Sequence, residues 1–241
     1  MRFSPLFVTV AALFVTILVV SNIIAVKLVT IGGSVELGSV TIFPIILPAA
    51  MVVFPISYII GDILTEVYGY RQARLVIWLG FLCNLIGVGA IWTGGLLSPD
   101  PNSFGAEGQE AYSRILGYTP RLLGASFAAY LVGEFANSYV LAKMKIATKG
   151  RWLWTRTIGS TIVGEGLDSL IFISLAFGGQ LPLAIVIRII LTQWSAKVLY
   201  ESAATPLTYK VVAFLKKREN VDIYDRDVNF NPLAVFSIKN A

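Results

Sequence analysis

The sequence predicts an all-α integral membrane protein: a six-transmembrane-helix bundle with N- and C-termini cytoplasmic and a proline-broken second helix. Three observations predict it. Of 241 residues, 56% are hydrophobic and only 14% charged, with a mean hydropathy of +0.75, whereas soluble domains carry roughly 25% charged residues. Apolar windows of about 20 residues, the length that crosses a hydrocarbon core of about 30 Å, recur along the chain. The lysines and arginines between those windows fall mainly on one side.

The windows are residues 6–29, 42–64, 75–97, 122–142, 157–177 and 183–205. They form one transmembrane domain over 1–210, followed by a polar cytoplasmic tail, 211–241, expected to be mobile. The first window, in "RFSPLFVTVAALFVTILVVSNIIA", is too long for a signal-peptide core and lacks a small-x-small cleavage site, so it reads as a retained helix. The second carries Pro44, Pro48 and Pro55. Each proline removes a backbone donor and kinks or opens a helix. Asp62 and Glu66 follow one turn apart near its end, with Arg71 and Arg74 just beyond. Together with Glu201 they suit a coupling or gating role, and Asp62 and Glu66 equally suit a surface ion-pair cluster.

The third window holds Asn84. The long segment after it contains "EAYSRIL", which has the make-up of a short helix at the membrane interface, on a loop that either connects or covers an entrance. Glu134 and Asn137 lie three apart in the fourth window; Thr161, Glu165 and Asp168 share one face of the fifth; Gln193, Lys197 and Glu201 stripe the sixth. At about 1.5 Å per residue, Asn84, Glu134, Glu165, Asp168 and Lys197 fall in one slab a little inside the bilayer midplane. A charge there costs about 2.5–3.5 kcal/mol, so these groups must face each other or a wet cavity.

Pairing with Lys197 as interhelical glue would explain one acid. Three acids facing one base leave carboxylates that glue does not require, which points to a site for a ligand with donors, or for protons or cations. Burial disfavours the charged form of a carboxyl, so one acid is suited to carry a proton. Around them a pattern recurs: "GDILTE", "GEFANS" and "GEGLDS" each set a glycine beside an acid. A small residue there lets a neighbouring backbone approach.

Charge fixes the expected orientation. Arg2, Arg71, Arg74, Lys143, Lys145, Lys149, Arg151, Arg156, Lys210, Lys216, Lys217 and Arg218 lie on one side, against Arg114, Arg121 and Lys27 on the other. The first side is then cytoplasmic. The net charge of +5 follows the loops, without interleaved aromatics, and implies no nucleic-acid partner. With no histidine and Cys83 alone, the chain has no Ser-His or Cys-His pair, no disulfide and no thiolate or imidazole metal site. No metal or cofactor is expected. An intramembrane aspartyl protease would need paired aspartates, and Asp62 and Asp168 fall at different depths.

"FPISYIIGDILTEVYGYRQAR" (54–74), "GEFANSYVLAKMK" (133–145) and "TRTIGSTIVGEGLDSLIF" (155–172) closely resemble the queuosine precursor transporter family, six-span bacterial membrane proteins once grouped under a vitamin-uptake name. The resemblance extends from about Ser21 to Pro206. It implies a non-enzymatic carrier in the bacterial inner membrane that imports 7-cyano-7-deazaguanine or 7-aminomethyl-7-deazaguanine, precursors of a tRNA modification. For such a base, Glu134, Glu165 and Asp168 offer bidentate acceptors to an N–H edge, Asn84, Asn137 and Gln193 offer amides, and Trp194 and Phe135 offer rings. Lys197 is the charge partner of the empty site. Two alternatives stand beside this: the substrate-binding subunit of an energy-coupling-factor importer, whose Ala-x-x-x-Ala seam is out of register here, and a membrane scaffold. Small-residue runs such as "GVGAIWTGG" (87–95) serve a homodimer or internal packing equally.

Overall fold

The computed structural model describes residues 3–31, 35–37, 40–42, 45–102, 104–117 and 120–236. In chain order they form α1 (Pro5–Ile24), β1 (Leu28–Ile31), β2 (Val35–Leu37), β3 (Val40–Ile42), β4 (Ile45–Pro48), a 3-10 turn (Ala49–Val52), α2 (Phe54–Tyr68), α3 (Tyr70–Gly95), α4 (Gly105–Leu116), α5 (Pro120–Ala147), α6 (Leu153–Phe177) and α7 (Leu183–Glu219), with a last 3-10 turn at Pro232–Phe236. Two antiparallel ribbons join α1 to α2. β1 pairs with β4, Leu28 opposite Pro48, and the β2–β3 hairpin sits inside them, Val35 opposite Ile42.

Among the described residues, four helices, α1, α3, α6 and α7, are long and apolar enough to cross a membrane. Their outward faces carry large apolar side chains such as Leu13, Leu82, Ile86, Leu170 and Leu191, while Ser57, Asp62, Asn137 and Ser160 are buried. Apolar outside and polar inside is the inverse of a soluble bundle, and it fits a chain whose solvent is lipid. α5 exceeds the needed length but carries Arg121, Glu134, Lys143 and Lys145.

The window expected at 42–64 as one proline-broken helix takes a different form. Residues 45–48 are strand, 49–52 a 3-10 turn, and the helix begins only at Phe54. The prolines delimit this helix and do not break it. Pro48 ends the strand in extended backbone, and Pro55 sits in the first turn of α2, where its missing N–H has no partner to lose. Pro44 lies outside the described residues. At 15 residues α2 is about 22 Å long, short of the hydrocarbon thickness. Nearly all of it is buried, from Ser57 through Tyr68, enclosed by α1, α3, α5 and α7.

Glycines set the closest crossing, between α5 and α6. A Cβ on Gly164 would stand 2.6 Å from the Asn137 Cβ, and one on Gly133 would stand 2.9 Å from the Asp168 Cβ and 3.1 Å from the Gly164 carbonyl oxygen. Both belong to the recurring glycine-acid pattern.

The expected tail boundary at 210 falls inside α7, which runs unbroken past Pro206 to Glu219. Beyond it the chain folds back. The Asp225 carboxylate accepts the Tyr70 N–H at 3.0 Å from each oxygen, capping α3, whose own N-cap residue is Gly69. Arg74 donates to the Asn229 and Asn231 carbonyls, Tyr70 Oη to that of Phe230 and Trp78 Nε1 to that of Pro232. A polar segment that reads as a mobile tail is therefore tied down, because the ends of α3 and α5 use its carbonyls and carboxylates as partners. At the same end, Ser4, the N-cap of α1, donates to Glu219 at 2.6 Å, so the start of α1 and the end of α7 meet. α4, which contains the expected "EAYSRIL" helix, packs on α3 through Tyr112, whose hydroxyl donates to the Ile91 carbonyl.

Candidate functional site

α2 carries Tyr58, Asp62 and Glu66 at successive one-turn intervals, so a single buried helix face supplies polar groups at three depths. The neighbours of that stripe differ sharply from one end to the other.

At the basic end, Glu66 is 1% exposed and saturated. Arg156 donates to it bidentately, Nε at 3.2 Å and Nη2 at 2.9 Å, and Lys216 donates at 2.6 Å. Lys145 Nζ bonds the Glu66 carbonyl at 2.6 Å and lies 3.7 Å from its carboxylate. Asp222, from the folded-back segment, bridges Lys145 at 2.7 Å and Lys216 at 2.9 Å. Burial alone would push the Asp222 carboxyl up, but the two lysine hydrogen bonds hold it below its ordinary value. Asp225 goes the other way: burial pushes it up against the N–H bond from Tyr70. Reading Arg156, Lys145 and Lys216 as loop charges missed this cluster. Arg156 and Lys145 are each 1% exposed, and charge counting alone does not register that burial.

One and two turns deeper lies the second cluster. Lys197 of α7 reaches α6, its Nζ 2.6 Å from Glu165 Oε2 and 2.5 Å from Asp168 Oδ2. The same ammonium stands 4.9 Å from the Phe54 ring centre and 6.0 Å from that of Tyr58. Asn137 Nδ2 donates to Asp62 Oδ1 at 2.7 Å, joining α5 to α2. Glu134 is fully buried with neither carboxylate oxygen hydrogen-bonded among the described residues, and Glu201 and Asp62 Oδ2 are likewise unpartnered. Glu134 lies within electrostatic range of Glu165, Asp168, Glu201 and Lys197, and Asp62 within range of Glu201 and Glu134. Five acids and one cation from four helices therefore share this slab among the described residues.

Three predicted residues, Asn84, Trp194 and Phe135, face elsewhere. Asn84 accepts a hydrogen bond from Asn22 at 2.7 Å and donates to the Gly80 carbonyl, at the α1–α3 contact. Trp194 donates to the Ile162 carbonyl at 3.0 Å and lies over Gly166, on α6. Gln193 is half-buried one turn before Lys197. Phe135, next to Glu134 in sequence, faces Trp78 with ring centres 5.8 Å apart and lines an apolar groove there. The aromatic residues that do approach the cluster, Phe54 and Tyr58, were not predicted; the signal for Tyr58 is its one-turn spacing from Asp62.

No group of three or more Asp, Glu, Cys or His side chains among the described residues is placed to hold a metal ion. Within reach of one another, then, are carboxylates able to accept an N–H edge, an ammonium that neutralises two of them, and two rings.

Comparison with known proteins adds two matches. Residues 48–211 match the family described as "Putative vitamin uptake transporter". A curated protein of Bacillus subtilis (strain 168), named "Probable queuosine precursor transporter", is 28% identical over 172 residues, which cover 71% of this chain and 74% of that protein. No solved structure matches.

Proposed function

We propose, from the premise that this chain belongs to the vitamin uptake transporter family and is therefore a multi-pass membrane transporter of a small molecule, that it imports queuosine precursors across the bacterial inner membrane. The cargo would be 7-cyano-7-deazaguanine, 7-aminomethyl-7-deazaguanine or both, and the basic end of the bundle would be cytoplasmic. The observation that carries this reading is the excess of buried acid over base: Glu134, Glu165, Asp168, Asp62 and Glu201 against Lys197. Unsatisfied carboxylates inside a bundle cost stability unless a ligand completes them.

In this reading, Glu165 and Asp168 receive the adjacent N1–H and amino group of the base, with Lys197 holding both carboxylates oriented while the site is empty. Glu134, Asp62 and Glu201 carry the coupling proton, Asn137 fixes Asp62 and contributes its own oxygen, and Glu66 with its cations forms the closure on the cytoplasmic side. The similar name of the Bacillus subtilis relative supports the substrate class.

Uptake of labelled precursor into cells unable to make it tests the proposal. Wild type should restore accumulation, while Glu165→Gln and Asp168→Asn should each lower it at least tenfold at equal membrane abundance. Normal import by both variants would remove the site; no import by wild type would remove the function.

A further inference from the structure

Tyr58 is 1% exposed, and its hydroxyl has no hydrogen-bond partner among the described residues. It sits where α2 meets the α5–α6 crossing. A Cβ placed on Gly133 would stand 2.9 Å from Tyr58 Oη and 2.9 Å from the Asp168 Cβ, so the hydroxyl and Asp168 flank one point on α5. The ring is held by Phe54, 5.5 Å away at 60°, and both rings lie beside Lys197. Lipid offers such a hydroxyl nothing, and a phenylalanine would fill the same volume without an unpaired polar atom.

Two donors of the slab are already engaged. Lys197 is shared by two carboxylates, and Asn137 Nδ2 is given to Asp62. Among the unpartnered atoms, Asn137 Oδ1 accepts only, and the Glu134, Glu201 and Asp62 carboxyls accept except where one holds the coupling proton. A deazaguanine that presents N1–H and its amino group to Glu165 and Asp168 also presents an exocyclic carbonyl oxygen beside N1–H, and that oxygen needs a donor. Thr161 and Ser169 have unpartnered hydroxyls as well. A helical threonine or serine can turn its hydroxyl to the carbonyl one turn back, an outlet that tyrosine lacks.

We propose that Tyr58 contacts the cargo directly, its hydroxyl donating to the exocyclic carbonyl oxygen of the base whose N–H edge is held by Glu165 and Asp168. This inference rests on the transport reading above and adds a buried phenol donor to it. Two measurements on purified, lipid-reconstituted protein test it: the melting temperature without cargo, and the Kd for 7-aminomethyl-7-deazaguanine, each for wild type and Tyr58→Phe. Removing an unpaired buried hydroxyl should leave the empty protein's melting temperature unchanged or higher, whereas affinity should fall about tenfold, because the cargo oxygen is then buried without a donor. Affinity within twofold of wild type overturns the inference and leaves the transport reading intact. A lowered melting temperature, or failure to fold, makes the hydroxyl structural and overturns it too. If wild type binds neither this base nor its 7-cyano relative, the transport reading fails and the inference fails with it; binding of the 7-cyano base alone moves the same Tyr58→Phe comparison to that ligand.

Discussion

Glu66 and Glu134 are both buried glutamates inside one bundle, yet their surroundings are opposite. Glu66 has three cations within reach, a second acid to balance them, and every neighbour is itself hydrogen-bonded. Glu134 has no hydrogen bond among the described residues and four further acids in range, Glu165, Asp168, Glu201 and Asp62. Breaking a completed buried ion pair strands charge and costs about 3–5 kcal/mol, whereas replacing an uncompensated carboxyl by a neutral isostere can be neutral or favourable. The difference separates a region whose ion pairs hold the helices together from one whose carboxylates, on the proposed reading, the cargo completes.

The strongest way to break this comparison is Glu66→Ala. It leaves Arg156 and Lys145 buried and Lys216 half-buried around a void, and about 3–5 kcal/mol of stability should be lost, read as a collapse of the melting temperature in detergent. A smaller loss of about 1–3 kcal/mol is expected for Gly164→Ala, since the added methyl meets the Asn137 Cβ at 2.6 Å and must push α5 from α6. Transport should fall with it, because Glu134 and Glu165 ride on those two helices. Glu134→Gln sharpens the comparison: the melting temperature should stay within about 0.5 kcal/mol equivalent of wild type or rise, while uptake drops at least tenfold. A loss of stability comparable to Glu66→Ala would show that both glutamates serve the same end.

The smallest effect concerns Asp222. Its folded carboxyl lies below the ordinary value of about 3.9, so the stability it supplies is present above that pH and is lost as pH falls through the depressed folded value. Trp78, bonded to the Pro232 carbonyl of the same segment, is the reporter. Its fluorescence should change in that acid window in wild type, and Asp222→Asn should abolish the Asp222-dependent part of the change.

Much of the bundle is legible in the sequence, because lipid contact demands apolar runs: α1, α3, α6 and α7 announce themselves by hydropathy. The stripes through Glu165 and Asp168 and through Lys197 and Glu201 are legible for the complementary reason that buried charge must converge. What hydropathy misses is where a polar residue turns inward at a helix end. Arg156 and Lys145 count as loop charges until the α5–α6 turn and α7 close over them. The prolines of the second window mislead similarly, since proline is tolerated at a helix start as well as at a kink, and only the backbone distinguishes the two. Asn84 shares the slab's depth but not its direction, a distinction that depth counting along an axis does not make.

α2 touches four of its neighbours and is too short to reach both membrane faces. A carrier that rocks one half against the other must therefore assign this peg to one half and slide it along the rest. Its ladder of bonds to α5 and α6, Asp62 to Asn137, Thr65 to Ser138 and Glu66 to Arg156, makes those partners the natural companions in that motion. Ile63, Leu64 and Val67 of α2 belong instead to one apolar cluster with Phe14 and Leu18 of α1 and Val76 and Ile77 of α3, where burial has no preferred direction and sliding breaks no hydrogen bond of that ladder.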